Sequence, residues 1–586
     1  MDLDETKYTE ILRQNKILAS QVGGKPYRVL LLTNITVSSI KEILEFNLRC
    51  NGINPLVEIG NFDNIVQDSY MAGSADLVII FYDALGIVNN LSSFIEGMED
   101  EEFLSILNKT KNEIDIIINN LAQNRSVIFN TFSYHYFVSD ISYRNRLEEF
   151  ISDLNRYLSE KKSSNIKLVE IDKIFATLGI NHAIDFRLYY SSKAPYTLAF
   201  LKRYISSIEH LVLKNTGKLK KALIFDCDNT LWKGVIGEDG MENIDMAKSS
   251  PYGRIYNLVQ QIAIYLSKRG IIIGLCSKNN ENDVVEVLKN HRDLLLNENY
   301  IVIKKINWDD KVTNLRKIAS ELNIGLDSIV FVDDSSFEVN MVRENLPEVT
   351  VLQVPSSIFE YPDFLLKNAY RYFNLDVTNE DSTKTEIYRQ QNQRDQYKSD
   401  FTSVEEYLQS LEISIAVKEN DLTAVPRISQ LTQKTNQFNL TTIRLTENEV
   451  VQSMRGEDST VFSISVKDKF GDNGLTAICF LRKSENNERS AVIDNILMSC
   501  RIIGRNVEYA LMNYIVEWLL KRKYEFVGAS YIESKKNGIV KEFYETTGFQ
   551  IDRKEVGEKT YSLRLGDYAP KELKYIKIHS SATENA

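Results

Sequence analysis

Two acidic side chains, Asp226 and Asp228, stand one residue apart directly after the apolar run 223–225. A short run of this kind is typical of a buried strand. Because ligands bind at the carboxyl ends of strands in open parallel sheets, both carboxylates are predicted to lie at the mouth of a site. Two like charges this close repel unless a cation, a proton or solvent relieves them. Mg²⁺ is the predicted partner, because it takes hard oxygen ligands together with a substrate phosphate.

Three later stretches also bring polar side chains to the ends of apolar runs or short loops. The run 271–277 ends in the hydroxyl of Ser277, and the run 329–334 ends in two neighbouring acids. Between them, Lys311 follows a tryptophan and two aspartates. Taken in order with the first stretch, these segments resemble the four motifs of the haloacid dehalogenase (HAD) phosphohydrolase superfamily.

This resemblance implies a role for each motif residue. Asp226 is the expected nucleophile, and Asp228 is the expected general acid and base. The phosphoryl oxygens are expected to be held by Ser277 and Lys311, and the substrate also by Thr230 and Asn279. The implied Mg²⁺ ligands are Asp226, Asp228 through its backbone carbonyl, Asp333 and Asp334.

The residues after the first motif narrow the resemblance. Segment 226–240 reads D-x-D-N-T-L-W-x-G-V-x-G-E-D-G, which is similar to the FkbH-like proteins, subfamily IIIC of the HAD superfamily. The spacing between motifs leaves room for helices and strands but not for a large cap domain. Since a cap normally excludes water from a small-molecule site, an uncapped site is expected to accept a group carried on a protein.

A second constellation lies near the carboxyl end of the chain. The apolar run 491–500 is followed by Arg501, Gly504 and Arg505 and then by a helical pattern. Strand, R-x-x-G-x-G/A and helix resemble the acyl-CoA-binding motif of GNAT acetyltransferases, in which backbone N–H groups hold phosphate. Those three residues are therefore assigned to substrate or carrier binding. Asn506 stands where the motif has Gly or Ala, which favours a single phosphodiester over a pyrophosphate.

The amino-terminal part alternates strand-like runs with helical patterns, which predicts a parallel sheet covered by helices. It is similar to the SGNH-hydrolase-like module that precedes the HAD domain in FkbH-like proteins. Thr33 stands where an active hydrolase carries its serine, and His182 precedes Asp185 instead of following it. We therefore expect a noncatalytic scaffold here, although Thr33 and His135 stay candidates for a function.

The predicted fold class is multidomain α/β, with an SGNH- or flavodoxin-like parallel sheet, a central Rossmann-like HAD domain without a large cap, and a GNAT-like α+β domain. The predicted boundaries are 1–215 for the first domain, 219–375 for the HAD-like domain, 376–402 for a polar helical linker, 403–572 for the GNAT-like domain and 573–586 for a flexible tail.

Composition excludes several classes of protein. The chain has 586 residues and a net charge of −11, without a long basic block, which argues against nucleic acid as a partner. No apolar run approaches the roughly 20 residues that cross a bilayer, and no leader pattern precedes the first domain, so a cytoplasmic protein is expected. Its five cysteines lack C-x-x-C spacing and indicate free thiols.

The FkbH-like resemblance implies a glyceryl transferase/phosphatase. Such an enzyme takes a phosphorylated three-carbon acyl donor of the 1,3-bisphosphoglycerate type and loads the acyl unit onto the phosphopantetheine thiol of an acyl carrier protein. Cys500 is the preferred enzyme thiol, because Arg501 and a helix start lower a thiol pKa. Cys227, or direct attack by the carrier thiol, stays open. The alternatives are a plain Mg-dependent HAD phosphatase and a noncatalytic assembly protein.

Overall fold

The computed structural model describes residues 3–87, 95, 97–124, 126–135, 145–163, 165–375, 394, 397, 401, 403–485, 487–534 and 536–581. The chain divides into two compact units, Met1–Thr216 and Gly217–Ala586. Among the described helices, none combines the length and the hydrophobicity that a membrane span requires.

The first unit is built on a parallel five-stranded sheet in the order β2-β1-β3-β4-β5. Its central strand β3 is apolar and buried throughout, as expected for a strand covered on both faces. The strands are β1 (Tyr27–Thr33), β2 (Pro55–Ile59), β3 (Leu77–Phe81), β4 (Val127–Asn130) and β5 (Ile166–Val169). The helices are α1 (Tyr8–Gln21), α2 (Ile40–Cys50), α3 (Ile65–Ser69), α4 (Ala84–Ile87), α5 (Asp100–Asn120), α6 (Arg146–Lys161), α7 (Ile171–Leu178), α8 (Ile180–Ala183), α9 (Phe186–Ser192) and α10 (Leu198–Asn215).

The second unit begins with another parallel five-stranded sheet, in the order β10-β9-β6-β7-β8. Its middle strand, β6, is fully buried because it pairs on both sides. The strands are β6 (Ala222–Phe225), β7 (Ile272–Ser277), β8 (Ile301–Ile306), β9 (Ile329–Asp333) and β10 (Thr350–Gln353). The helices are α11 (Ile236–Asp239), α12 (Gly253–Lys268), α13 (Glu281–Asn290), α14 (Lys311–Glu321), α15 (Ser336–Asn345) and α16 (Tyr361–Tyr372).

The rest of the second unit forms a mostly antiparallel sheet, which we call the third domain. Its order is β17-β18-β16-β15-β14-β13-β11-β19, with β12 paired to β15. The strands are β11 (Ile413–Glu419), β12 (Phe438–Asn439), β13 (Ser459–Asp468), β14 (Gly471–Lys483), β15 (Ser490–Met498), β16 (Phe526–Ile532), β17 (Gln550–Glu555), β18 (Glu558–Arg564) and β19 (Ile576–Ser581). The helices are α17 (Val404–Ser410), α18 (Val425–Lys434), α19 (Glu447–Arg455), α20 (Val507–Lys521) and α21 (Phe543–Thr546).

The predicted fold class is confirmed: two parallel α/β sheets precede an α+β domain in which α20 joins the parallel pair β15 and β16. The predicted flexible tail is wrong over 576–581, because β19 pairs in parallel with β11 and so completes one edge of the sheet. Most of the predicted linker 376–402 lies outside the described residues. Within it, Arg394 is fully buried and its guanidinium donates to both carboxylate oxygens of Asp468 at 2.8 Å, so this position is not exposed as predicted.

The third domain contacts the second domain at the amino ends of that domain's strands. Lys536 forms an ion pair with Asp327, which lies two residues before β9. Asn323, just beyond the carboxyl end of α14, donates from Nδ2 to the backbone oxygen of Cys500 at 2.9 Å. These contacts lie at the opposite end of the second sheet from the carboxyl ends of its strands.

Candidate active site

Three strand ends of the second sheet bring polar side chains to one edge. Asp226 follows β6 directly, Ser277 ends β7 and Asp333 ends β9. Because β6 pairs in parallel with both neighbours, these three residues lie side by side at the carboxyl edge. All three are buried, with at most 7% of each residue exposed. The sheet topology therefore assembles the site that the sequence predicts from separate segments.

Lys311 enters this edge from the first turn of α14. Asp310 caps that helix by accepting the backbone N–H of Thr313 at 2.7 Å, which fixes the backbone just before the lysine. The Lys311 ammonium hydrogen-bonds to Asp226 and to the Cys276 carbonyl, the latter at 2.6 Å. It also lies 3.3 Å from Oδ2 of Asp333. Burial lowers the Lys311 pKa, but the charges of Asp226 and Asp333 outweigh it, and the pKa rises above its usual value.

The carboxylates of Asp226, Asp333 and Asp334 form a group that suits a divalent cation. One oxygen from each lies within 4.8 Å of the others. Burial, followed by the charge of Asp226, raises the pKa of Asp333 to about 7 and that of Asp334 to about 6. No hydrogen bond from the described part of the chain reaches the buried Oδ2 of Asp333. Converging oxygen donors and an unsatisfied buried carboxylate oxygen fit Mg²⁺.

Asp228 is held apart from that group. Its Oδ1 accepts from Nε1 of Trp232 at 2.9 Å and from the backbone of Ile236 at 3.1 Å, while its Oδ2 accepts from Nδ2 of Asn279 at 3.0 Å. Burial raises the Asp228 pKa, although these hydrogen bonds partly offset the rise. A carboxyl group that retains its proton more readily than usual suits a general acid. Its side chain is not one of the three converging carboxylates, so the prediction that Asp228 binds metal rests on its backbone carbonyl.

The remaining predicted phosphate-binding residues surround the same edge. Asn279 also donates to Oγ of Ser277, at 3.1 Å, and so connects the end of β7 to Asp228. Thr230 is fully buried, and its hydroxyl has no hydrogen-bond partner among the described residues. A buried hydroxyl without a partner costs free energy unless a ligand or water supplies one. Thr230 is therefore available to a bound phosphoryl group.

The two candidate thiols lie in different surroundings. Cys227 is fully buried in the apolar core beside β6, where burial raises its pKa far above the usual value. Cys500 is half-buried in the single turn Cys500–Ile502, at the end of α14 opposite Lys311. An 11-residue helix is about 16 Å long at 1.5 Å per residue. The structure therefore does not bring Cys500 to the Asp226 site.

The residues assigned to carrier binding are directed into the third domain. Arg501 donates to the backbone oxygen of Asn473 at 2.6 Å, and Arg505 donates to Oδ2 of Asp468 at 2.8 Å. Both arginines are buried. Gly504 has a φ of +82°, which explains a glycine in this turn. The expected surface for a phosphodiester is thus not formed by these guanidinium groups.

No large cap domain is inserted between β6 and β7 at the Asp226 site. Residues 226–271, all of them described, form only α11 and α12 between β6 and β7, as the motif spacing predicts. Exposed aromatic side chains follow three of the strands at this edge, namely Trp308 after β8, Phe337 after β9 and Phe359 after β10.

Sequence reasoning missed the groups that position Asp228 and the ion pair beside the mouth. Trp232 was part of the recognised motif, yet only the structure shows its indole N–H on Asp228. Lys278 pairs with Glu338 at 2.6 Å and joins the loop after β7 to α15. Lys278 could have been found from the sequence, because it directly follows Ser277. Nothing in the sequence identifies Glu338 as its partner.

Comparison with solved structures supports the phosphatase-like fold. The chain is similar to the N-terminal part of the protein BF1531 from Bacteroides fragilis, described as containing a phosphatase domain complexed with Mg. The sequences are 25% identical, the match covers 63% of this chain and 99% of that one, and the TM-score is 0.54. No family model matches the sequence, and no curated protein matches it.

Two acetyltransferases are also among the matches. The ribosomal-protein-S18-alanine N-acetyltransferase from Escherichia coli is 15% identical over 29% of this chain and 98% of that one, with a TM-score of 0.21. An acetyltransferase from Thermus thermophilus is 12% identical over 26% and 97%, also with a TM-score of 0.21. At these scores the likeness carries no weight, and the third domain is described by its own sheet topology.

Proposed function

We propose that this chain is an FkbH-like, Mg-dependent glyceryl transferase/phosphatase that loads an acyl carrier protein. The observation that carries the proposal is the meeting of Asp226, Lys311, Asp333 and Asp334 at one strand edge, with Asp228 held beside them. The solved neighbour's description as a Mg-bound phosphatase domain supports the phosphatase part. The resemblance of segment 226–240 to FkbH-like proteins supports the acyl and carrier parts.

The phosphatase step uses Asp226 and Asp228 in different roles. A carboxylate oxygen of Asp226 attacks the phosphorus of a phosphate ester, and the ester P–O bond breaks. Asp228 gives its proton to the leaving oxygen and then takes one from the water that hydrolyses the phosphoaspartate. The Trp232 and Asn279 hydrogen bonds keep Asp228 oriented for both transfers. Lys311 and Ser277 hold the phosphoryl oxygens, so charge that develops on them is stabilised by groups already in place.

Asp226, Asp333 and Asp334 would hold Mg²⁺, which supplies positive charge against the transferred phosphoryl group. The three carboxylates also need more positive charge than the lysine beside them provides. Lys311 forms ion pairs with Asp226 and Asp333 but carries only one positive charge. A divalent cation would therefore let these two acids and Asp334 all stay ionised when a phosphate arrives.

The acyl step is assigned to the uncapped edge of this site. The thiol of the carrier attacks the acyl carbon of the donor, the C–S bond forms, and the C–O bond to the phosphate breaks. Inorganic phosphate leaves with the proton of the thiol. The phosphate ester that remains on the three-carbon unit is then removed at Asp226. An uncapped edge with Trp308, Phe337 and Phe359 exposed leaves room for a protein-borne arm. The first domain is proposed to be a noncatalytic scaffold.

The test follows the mass of the carrier. The full chain is incubated with 1,3-bisphosphoglycerate, Mg²⁺ and a pantetheinylated carrier protein, and the intact carrier is weighed by mass spectrometry. The expected product is a glyceryl thioester without phosphate. In Asp226→Asn the attached unit is expected to retain its phosphate. A carrier that stays unmodified while phosphate is released would contradict the transferase proposal.

The second candidate is a Mg-dependent HAD phosphatase whose third domain only binds partners. It is favoured by the position of Cys500 at the far end of α14 and by the inward direction of Arg501 and Arg505. The same experiment decides, because this candidate predicts free phosphate and an unmodified carrier.

A further inference from the structure

The parallel pair β15 and β16 separates before either strand ends. The two strands pair only from Ser490 to Ile493 on β15 and from Phe526 to Ala529 on β16. Beyond these positions β15 continues to Met498 and β16 continues to Ile532. The backbone edges that face each other there would be unsatisfied if the gap were empty. We call this gap the β15–β16 slot.

The chain fills the slot with its own residues. β12 pairs antiparallel with β15, Phe438 opposite Met498 and Asn439 opposite Leu497. The next residue, Leu440, donates its N–H to the Ile496 oxygen at 3.1 Å and accepts from the Ile532 N–H at 2.8 Å. The segment 438–440 thus hydrogen-bonds to both strands and closes the sheet between them.

Asn439 fixes this inserted segment through four polar contacts. Its Nδ2 donates to the Thr435 oxygen at 3.2 Å, and its Oδ1 accepts from Nδ2 of Asn495 at 2.9 Å and from the backbone of Thr442 at 2.8 Å. Nδ2 of Asn537, on the loop after β16, donates to the Asn439 carbonyl at 2.9 Å. Asn439 is fully buried. A satisfied buried network of this kind holds one conformation.

The slot is the place that a pantetheine arm would need. An arm whose phosphate is held at the 501–506 turn starts where β15 ends, and its two amides require backbone partners along a strand edge. One edge of β15 is paired with β14 up to Met498. The other edge is paired with β16 and then with the segment 438–440. Between these pairings, Thr441 donates to the Asp494 oxygen and to Oδ1 of Asn495, so this edge of β15, every residue of which is described, is occupied by the chain itself.

The guanidinium groups of the turn are also already paired within the domain. Arg501 and Arg505 point to Asn473 and Asp468, and Asn506 donates from Nδ2 to the hydroxyl of Tyr575 at 2.6 Å. These side chains fix the turn from within the domain. The residues present therefore do not fit the coenzyme A or phosphopantetheine group that the R-x-x-G resemblance implies.

We infer that residues 438–440 are a built-in strand that takes the place of an acyl-CoA or pantetheine arm, so that the third domain binds neither. If the proposed transferase function holds, the carrier thiol reaches the acyl donor at the second domain alone. The inference concerns the third domain and stands whether or not that function is correct.

The first experiment titrates coenzyme A into the full chain by isothermal calorimetry. EDTA is present so that the Asp226 site, which has its own affinity for phosphate groups, lacks its cation. The expected result is no saturable binding up to about 1 mM coenzyme A. Saturable 1:1 binding that Gly504→Val weakens at least tenfold would overturn the inference. Phosphate release with Mg²⁺, measured on the same preparation, reports separately on the proposed function.

The second experiment measures hydrogen exchange at the amides of Leu440 and Ile532. Both are expected to exchange as slowly as amides in the paired part of β15, and 1 mM coenzyme A is expected to leave them unchanged. Asn439→Ala should speed exchange at both amides at least tenfold, because three contacts of the segment depend on that side chain. Asn345→Ala, on the exposed end of α15, is the control and should change neither amide. Fast exchange in the unaltered protein, or deprotection of these amides by coenzyme A, would refute a built-in strand.

Discussion

The first and second sheets share one architecture and differ at their carboxyl edges. In the first sheet the polar residues at this edge bind one another: Asn34 donates to the Asp83 carbonyl at 2.8 Å, and the Asp83 carboxylate accepts from the hydroxyl of Tyr196. Thr33 donates from its hydroxyl to the Ile35 oxygen at 2.9 Å. At the same edge of the second sheet, the Thr230 hydroxyl and Oδ2 of Asp333 have no hydrogen-bond partner among the described residues, and the Asp333 oxygen has only the Lys311 charge at 3.3 Å.

We call the carboxyl edge of the first sheet the structural edge and that of the second sheet the chemical edge. Polar groups that satisfy each other inside the fold stabilise a loop but have no capacity left for a ligand. Groups that remain unsatisfied are costly in the folded chain and are retained where a ligand completes them. In the first sheet Asn130 and Asp172 each keep such an oxygen among the described residues near the carboxyl ends of the strands. His135, a candidate from the sequence, lies 3.6 Å from the carboxylate of Asp172.

The largest effect is expected when the nucleophile at the chemical edge is removed. Asp226→Asn should lower kcat for phosphate release from p-nitrophenyl phosphate by at least about 1000-fold, because an amide cannot attack phosphorus. Thr33→Val, at the matching strand end of the first sheet, should change kcat by less than about twofold. A large loss in Thr33→Val would show that the first edge takes part in the chemistry.

The next effect concerns the positive charge that holds the acids together. Lys311→Met should lower kcat by about 100-fold or more and, in EDTA, lower the free energy of unfolding by about 3–5 kcal/mol, because it leaves buried carboxylates without a partner. Urea unfolding checks the second value. Adding Mg²⁺ should restore more stability to Lys311→Met than to the unaltered chain. Equal restoration in both proteins would contradict a cation site beside the lysine.

Metal removal gives the third effect. EDTA should abolish phosphate release, and excess Mg²⁺ should restore it. The first unit is not expected to need a metal ion. Asp333→Asn should raise the Mg²⁺ concentration for half-maximal activity by about 10–100-fold, because it removes one of three converging ligands. Asp172→Asn, beside His135 in the first unit, is the matched control and should leave that concentration unchanged. Activity that survives EDTA would argue against a metal at this edge.

The sequence predicts the chemical edge well because each element of it is local. The apolar runs that end in Asp226, Ser277 and Asp333 can each be recognised from the local sequence alone. Parallel pairing of the strands then brings their ends together. The fold class follows from the same alternation of runs and helical patterns. The relation between Asp228 and Trp232 is also only four residues long, but the sequence does not state which way the carboxylate turns.

The rest depends on contacts between distant segments. β12 is two residues long and pairs with β15 about 60 residues later. A strand this short has no hydrophobic periodicity from which it could be predicted. β19 lies within the predicted tail 573–586, yet pairing with β11 satisfies its backbone. The contact of Asn323 with Cys500, which removes the preferred thiol from the active site, joins residues 177 positions apart. Such pairings are decided by tertiary packing.

At the amino ends of the strands of the second sheet, the charged groups are paired with one another, in contrast to the carboxyl edge. The pH dependence of stability tests this pairing first. Burial lowers the Lys220 pKa to about 8 against the raising effect of Asp327, and Lys536 lowers it further. Between pH 8 and about 10.5 the unfolded chain therefore binds more protons than the folded one, so stability should rise with pH, by at most about 1.4 kcal/mol per unit. Below pH 8 both states are protonated and this contribution is constant. Urea midpoints at pH 7.5, 8.5 and 9.5 should show the rise in the unaltered chain and less of it in Lys220→Met, and parallel slopes would rule out a lowered pKa.

The smallest effect is expected from the ion pair between Lys536 and Asp327. Both side chains are about one-third exposed, at 35% and 32%, so the pair contributes only about 0.5–1 kcal/mol to the free energy of unfolding. Lys536→Met should lose that amount and leave kcat for phosphate release unchanged, because the pair lies at the opposite end of the strands from Asp226. Lys541→Met, which breaks the more exposed pair with Glu533 in the same domain, should lose less. A drop in kcat for Lys536→Met alone would mean that the third domain affects the chemical edge through the sheet. A paired charge at the amino ends of the strands would then contribute to the chemistry, and the distinction between structural and reactive charges would fail in this domain.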